Sequence, residues 1–82
     1  MKAITTRYNG QTNTRGSRIT ATDEDGNRVS VSYDDALNSE PNHAAAARKL
    51  CQKMDWRGNL TGGHTKHGMV WVWDDARNRI DV

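Results

Sequence analysis

Three sets of side chains in this sequence have the types and spacing from which chemical sites are built. His64 and His67 form an H-x-x-H pair, with His43 and Cys51 as the further ligands a zinc ion would need. A structural zinc site wants four ligands at recognisable spacings. Here His43 and Cys51 fall on a predicted helix and the other pair lies in a glycine-bounded turn, so the expectation is no metal and no cofactor. Cys51 as a nucleophile would need a depressed thiol pKa, whereas its neighbours Leu50 and Met54 read as packing. Asp34-Asp35 and Asp74-Asp75 are paired carboxylates of the kind used in acid-base and magnesium chemistry. Adjacent residues in a strand point to opposite faces, and in turns they cap helices. The run LTGGHTKHG fits neither the phosphate-binding loop nor the dinucleotide fingerprint. No enzyme signature survives, so the chain reads as non-enzymatic, with an enzyme built on His64 and His67 the weakest alternative.

Tryptophan is the other chemically loaded residue. Trp71 and Trp73, with Lys66 nearby, would make a stacking platform for single-stranded nucleic acid. The competing demand is volume. With no Phe in the chain, at least one or two of Trp56, Trp71 and Trp73 are expected to be buried between helix and sheet. A partly exposed Trp would equally anchor a protein interface.

The elements that must position these groups follow from periodicity. Ile4, Thr6 and Tyr8 alternate with Ala3, Thr5 and Arg7, predicting a strand from Lys2 to Tyr8. Asn9 to Ser17 has no apolar residue and reads as a mobile basic loop. Arg18 to Thr22 and Asn27 to Tyr33 alternate again around Asp25-Gly26, predicting a hairpin. After the polar stretch DDALNSEPN, a helix is expected from Pro41 to Asp55, capped by Ser39 or Asn42 and stopped by Gly58. Ala44 to Ala47 favour helix, and His43, Ala47, Leu50 and Met54 trace its apolar face. Asn59 to Thr61 and Met69 to Trp73 read as strands joined by a turn over Gly62 to Gly68. Apolar residues on both faces of the last strand place it centrally or beneath the helix. The prediction is an α+β two-layer sandwich: a mostly antiparallel sheet in the order β-β-β-α-β-β with one helix packed on it. Residues 1–73 form the single domain, and residues 74–82 a C-terminal tail that adds a helical turn or frays.

Composition sets the outer limits. The chain has 82 residues, 34% of them apolar, and a net charge of +2, which fits one small domain with little room for a large buried active site. No apolar run is long enough to span a membrane, the N-terminus lacks a signal-peptide core, and one cysteine makes no internal disulfide; these features predict a cytoplasmic protein. Charge is uneven along the chain: residues 1–22 carry +4, 23–40 carry −5, 41–73 carry +4 and 74–82 carry −1. Such alternating blocks differ from the coherent basic stripe of a duplex-DNA binder.

The segments MKAITTRY, RGSRITATDEDGNRV and NHAAAARKLCQKMDW, followed by the glycine-rich turn, resemble short accessory proteins carried by bacteriophages and plasmids of proteobacteria. The likeness covers about residues 1 to 73 and carries no catalytic motif. It implies a setting in which small single-domain proteins bind and block a host component, with anti-CRISPR proteins as the example of similar size. Acidic mimicry of nucleic acid is not expected, because the net charge is slightly positive. The resulting expectation is a binding protein that inhibits a host defence complex, such as a CRISPR effector, by mixed-charge protein contact. The expected contacts are Arg15 and Arg18 at the basic loop, Arg48 and Lys49 on the outer face of the helix, and Trp73 as an exposed aromatic. A small nucleic-acid-binding accessory protein using the same arginines with Trp stacking is the alternative, distinguishable by steep salt dependence.

Overall fold

The computed structural model describes residues 3–13, 16–74 and 80. Five strands and one helix follow one another as β1 (Ile4–Asn9), β2 (Arg18–Thr22), β3 (Arg28–Ser32), α1 (Ser39–Met54), β4 (Leu60–His64) and β5 (Gly68–Trp73). All strand pairs are antiparallel and the spatial order is β3-β2-β1-β5-β4. This is the expected α+β sandwich. Lys2, which the sequence reading placed in the first strand, lies outside the described residues, as does most of the 74–82 tail.

Register explains which residues share a face. Ile4 stands opposite Trp71, Thr6 opposite Ala21 and Met69, and Ala21 opposite Val29. Opposed residues point the same way, so Ile4, Thr6, Ile19, Ala21, Val29, Val31, Met69, Trp71 and Trp73 share the face that meets the helix. The helix answers with Ala46, Ala47, Leu50 and Cys51, all buried. Small alanines let α1 sit close to the sheet, and Ile4, Ile19 and Leu50 are the largest apolar side chains fully removed from water. The helix packs across β1, β2 and β3 and only brushes β5.

Two polar side chains fix the connections. The Asp23 carboxylate accepts hydrogen bonds from the backbone N–H groups of Asp25 (3.0 Å) and Asn27 (2.8 Å) and from the Asn27 amide (2.8 Å), which closes the β2–β3 hairpin around Gly26 at φ 88°. Asn42, 2% exposed, accepts from the Asp34 N–H (2.8 Å) and donates to the carbonyls of Asp34 and Asn38 (3.0 Å each), tying the approach to the helix onto its first turns.

Several expected boundaries shift. Asn38 occupies the N-cap without a side-chain bond, and the helix begins at Ser39; Asn42, expected as a cap, lies inside it. At the other end Asp55, not Gly58, takes the left-handed conformation (φ 56°, ψ 38°). Asp55 N–H then bonds the Gln52 carbonyl (3.3 Å) and Trp56 N–H the Cys51 carbonyl (2.9 Å), the Schellman pattern that satisfies the last free carbonyls. Gly62, Gly63 and His64, expected in a turn, belong to β4. The reason is close approach: Gly62 stands opposite Trp71, and a Cβ on it would lie 2.5 Å from the indole Cζ3. Gly62 is a seat for a ring, not a turn residue. Gly68 likewise lets β5 approach β1, since a Cβ there would fall on the Thr6 carbonyl oxygen.

No tryptophan is fully buried; Trp56, Trp71 and Trp73 all pack at the rim of the core. The expectation of one or two buried tryptophans is therefore corrected. The helix covers the β1–β3 half, leaving the indoles of β5 with shelter from only one side.

Candidate functional site

The displacement of α1 toward β3 opens a cleft between the helix and the β4–β5 hairpin. The cleft holds about 370 Å³ and is lined by Ala47, Arg48 and Cys51 from the helix, Trp56 and Arg57 from the following loop, and Trp71 and Trp73 from β5. Its two arginines face three indoles, and no carboxylate lines it among the described residues. Trp71 is held in place by its Nε1–H, which donates to Thr6 Oγ1 at 3.1 Å. Trp56 and Trp73 meet edge to face, with ring centroids 6.4 Å apart and planes at 77°. The cleft floor is thus preorganised, and its rim carries the side-chain types that dominate protein interfaces, Trp and Arg.

Behind Trp71 lies a buried polar joint. Thr6, fully buried, places Oγ1 2.7 Å from His43 Nδ1 and 3.4 Å from the Met69 carbonyl. An indole N–H only donates, so Thr6 Oγ1 accepts from Trp71, while its single hydroxyl hydrogen serves the Met69 carbonyl or His43 Nδ1 according to the histidine tautomer. Burial holds the His43 pKa below its ordinary value, and His64 nearby adds a smaller push in the same direction. His64 Nε2 itself lies 2.9 Å from Glu40 Oε1 at the surface. His43 and His64 are thereby engaged in structural contacts, and no cluster of three or more metal-ligating side chains occurs among the described residues. Burial pushes the Cys51 thiol up, opposite to the shift that activates a nucleophile.

The expected contact residues separate onto different surfaces. Arg48 and Trp73 come together in the cleft, although Trp73 is half-buried where an exposed ring was expected. Lys49 is exposed on the helix. Arg18 lies on the opposite face of the sheet, because it pairs with Asn9 and Ser32 in the outward register. That outer face also carries Arg7 and Arg28 among Thr and Ser side chains, and no strand residue on it is acidic. Arg18 Nη1 is shielded from water and has no hydrogen-bond partner among the described residues. Arg15 lies outside the described residues.

Arg57 and Trp56 were not singled out as contacts from the sequence. Their signal was the sequence MDWRGN directly after the helix, where a left-handed Asp turns the chain back over the core edge and delivers Trp56 onto Trp73. No family model, curated protein or solved structure matches this chain.

Proposed function

We propose that the chain is a non-enzymatic binding module that works by protein–protein contact, with the cleft between α1 and the β4–β5 hairpin at the centre of its interface. The observation that supports this reading is the preorganised set of Trp56, Trp71 and Trp73 beside Arg48 and Arg57 in a cleft that no carboxylate lines among the described residues. Half-sheltered indoles lose little conformational entropy on binding and offer large apolar area, while the arginines supply charge-assisted hydrogen bonds. In the mobile-element setting that the sequence resembles, the partner is a component of a host defence complex, such as a CRISPR effector, blocked by occupation of its surface. Arg48 and Trp73 are the central contacts and Lys49 lies outside the cleft lining.

Capture from host lysate by the tagged chain, with and without nuclease, tests this reading beside an Arg48→Glu, Trp73→Ala double variant. A defined complex that survives nuclease and is lost with the variant is the expected result, together with reduced interference in cells carrying that complex. Recovery of nucleic acid alone, abolished by nuclease, overturns it in favour of a second reading. That second reading, a nucleic-acid-binding accessory protein, draws support from the acid-free outer sheet face with Arg7, Arg18 and Arg28. It requires binding that falls steeply with salt and depends on these arginines but not on Trp73.

A further inference from the structure

The sheet has two outer strands, β3 and β4, and their free edges are protected unequally. Hydrogen bonds at the ends of each hairpin fix which backbone groups turn outward. Thr65 N–H donates to the Gly68 carbonyl (2.8 Å) and Asp74 N–H to the Asn59 carbonyl (2.9 Å), both in line with the β4–β5 register. Every second residue between them turns toward β5, so the N–H and C=O groups of Leu60, Gly62 and His64 point away from the sheet. The Asp23–Asn27 and Ser17–Tyr33 backbone bonds set the same alternation in β3, where Arg28, Ser30 and Ser32 present theirs at the edge. There Lys53 Nζ donates to the Arg28 carbonyl at 3.1 Å, and α1 packs over the strand. Lysine, proline and a covering element are the usual means of blunting a strand edge. β4, with the sequence LTGGH, carries neither lysine nor proline, and α1 is centred over the other half of the sheet.

This unguarded edge borders the cleft, since Leu60 belongs to both. Charge changes along the border. At one end of β4, His64 Nε2 meets Glu40 Oε1 at 2.9 Å; at the other, Arg48 and Arg57 line the cleft. Arg57 Nη2 lies 3.4 Å from Asp55 Oδ1, whereas the exposed Arg48 has no ion pair or side-chain hydrogen bond among the described residues. A guanidinium without a counter-ion beside half-open indoles is complemented by a carboxylate on an apolar segment, and a free strand edge by an extended chain.

We propose that an extended acidic segment of the protein partner adds to β4 as a further strand, antiparallel like the others, and sets a carboxylate toward Arg48. The choice of a protein as donor rests on the protein-contact reading above; the open edge and its charge preference do not. Register decides which amides matter. Leu60, Gly62 and His64 stand opposite Trp73, Trp71 and Met69 and share their face, the one that meets the helix. In an antiparallel pair, residues that exchange hydrogen bonds stand opposite one another on the same face. A partner residue whose side chain points to the cleft therefore also sends its amide to β4. Gly62 interposes no side chain between such a strand and the Trp71 ring.

The test is an NMR titration of the full chain with acetyl-Val-Thr-Glu-Thr-Val-amide, in which the two valines and the glutamate fall on one face. The amide resonances of Leu60, Gly62 and His64 should shift and their hydrogen exchange should slow, while those of Arg28, Ser30 and Ser32 stay in place. The peptide should bind about tenfold tighter than its glutamine counterpart, and Arg48→Gln should erase that preference. N-methylation of the glutamate amide should abolish binding, whereas N-methylation of the two threonine amides should leave it within about threefold. The methylated peptides probe the pairing on the unaltered protein, whatever Arg48→Gln does to its fold. Unmoved β4 amides, equal affinity for the glutamate and glutamine peptides, or equal losses from the two methylation patterns overturn the proposal. If the peptide binds as expected but no partner is captured from lysate, the edge site stands and the protein-contact reading falls. If a nuclease-resistant partner is captured while the peptide leaves the β4 amides in place, the reverse holds.

Discussion

The two halves of the sheet are built from similar strands and used differently. Under α1, strands β1 to β3 bring Ile4, Ile19 and Ala21 into one buried cluster with Ala46, Ala47 and Leu50. Beyond the helix, β5 and β4 carry Trp71, Trp73 and Leu60, which stay half-open. Aliphatic residues make the core and the indoles make its edge. A chain maximising stability alone would centre its helix over its largest apolar groups, because burial scales with area. Here the helix is offset, and the area left uncovered is what a partner would gain by docking.

The sharpest way to break this contrast is to damage each half in turn. Gly68→Ala, at the seam where β5 meets β1, should prevent the native pairing altogether, because the added carbon meets backbone; loss of a cooperative urea transition would show it. Leu50→Ala should cost about 2–5 kcal/mol in urea unfolding, the range for emptying a packed core site. Trp73→Ala should cost less stability than Leu50→Ala yet weaken partner binding at least about 30-fold, as expected of an interface hot spot. If Trp73→Ala proves as destabilising as Leu50→Ala with unchanged binding, the bare half is core and the division fails. Thr6→Val sits between the halves: it removes the hydroxyl partner of both Trp71 and His43 and should cost about 1–3 kcal/mol.

Acid should act on the same joint more gently. The folded-state pKa of His43 lies below its unfolded value of about 6.5, so the unfolded chain binds more protons in acid. The stability contributed is therefore full above pH 6.5 and is lost as pH falls from there toward the lower folded pKa. Thermal unfolding of the wild type and His43→Gln across pH 7.5 to 5 should show a slope in the first that is shallower in the second. The smallest effect is expected at Asp55→Gly, which relieves a left-handed non-glycine residue and should raise stability by about 0.5–1 kcal/mol in the same assay.

The covered half was the legible one. Alternation at Ile4, Thr6 and Tyr8, the Asp25-Gly26 turn and the alanine run identify three strands and a helix because each signal is local in the chain. The bare half was legible only in part. Gly62 and Gly63 look like a turn until Trp71 is seen to need the space of one of them, and that is a contact between strands. The offset of the helix depends on which strands it meets, so no periodicity records it. For the same reason the expectation of one or two buried tryptophans was too high. Of the expected contacts, Arg48 and Trp73 meet because helix and strand pack there, whereas Arg18 points to the other face by register alone.

The Thr6 hydroxyl has a practical consequence. It holds a histidine from the helix and an indole from the uncovered hairpin on one oxygen, so the Trp71 N–H is a spectroscopic witness placed in one half that observes the other. Its resonance should register loosening of the helix or a change of charge on His43 before any ligand is added. The chain thereby carries its own internal standard, against which events at Trp56 and Trp73 can be read without a label.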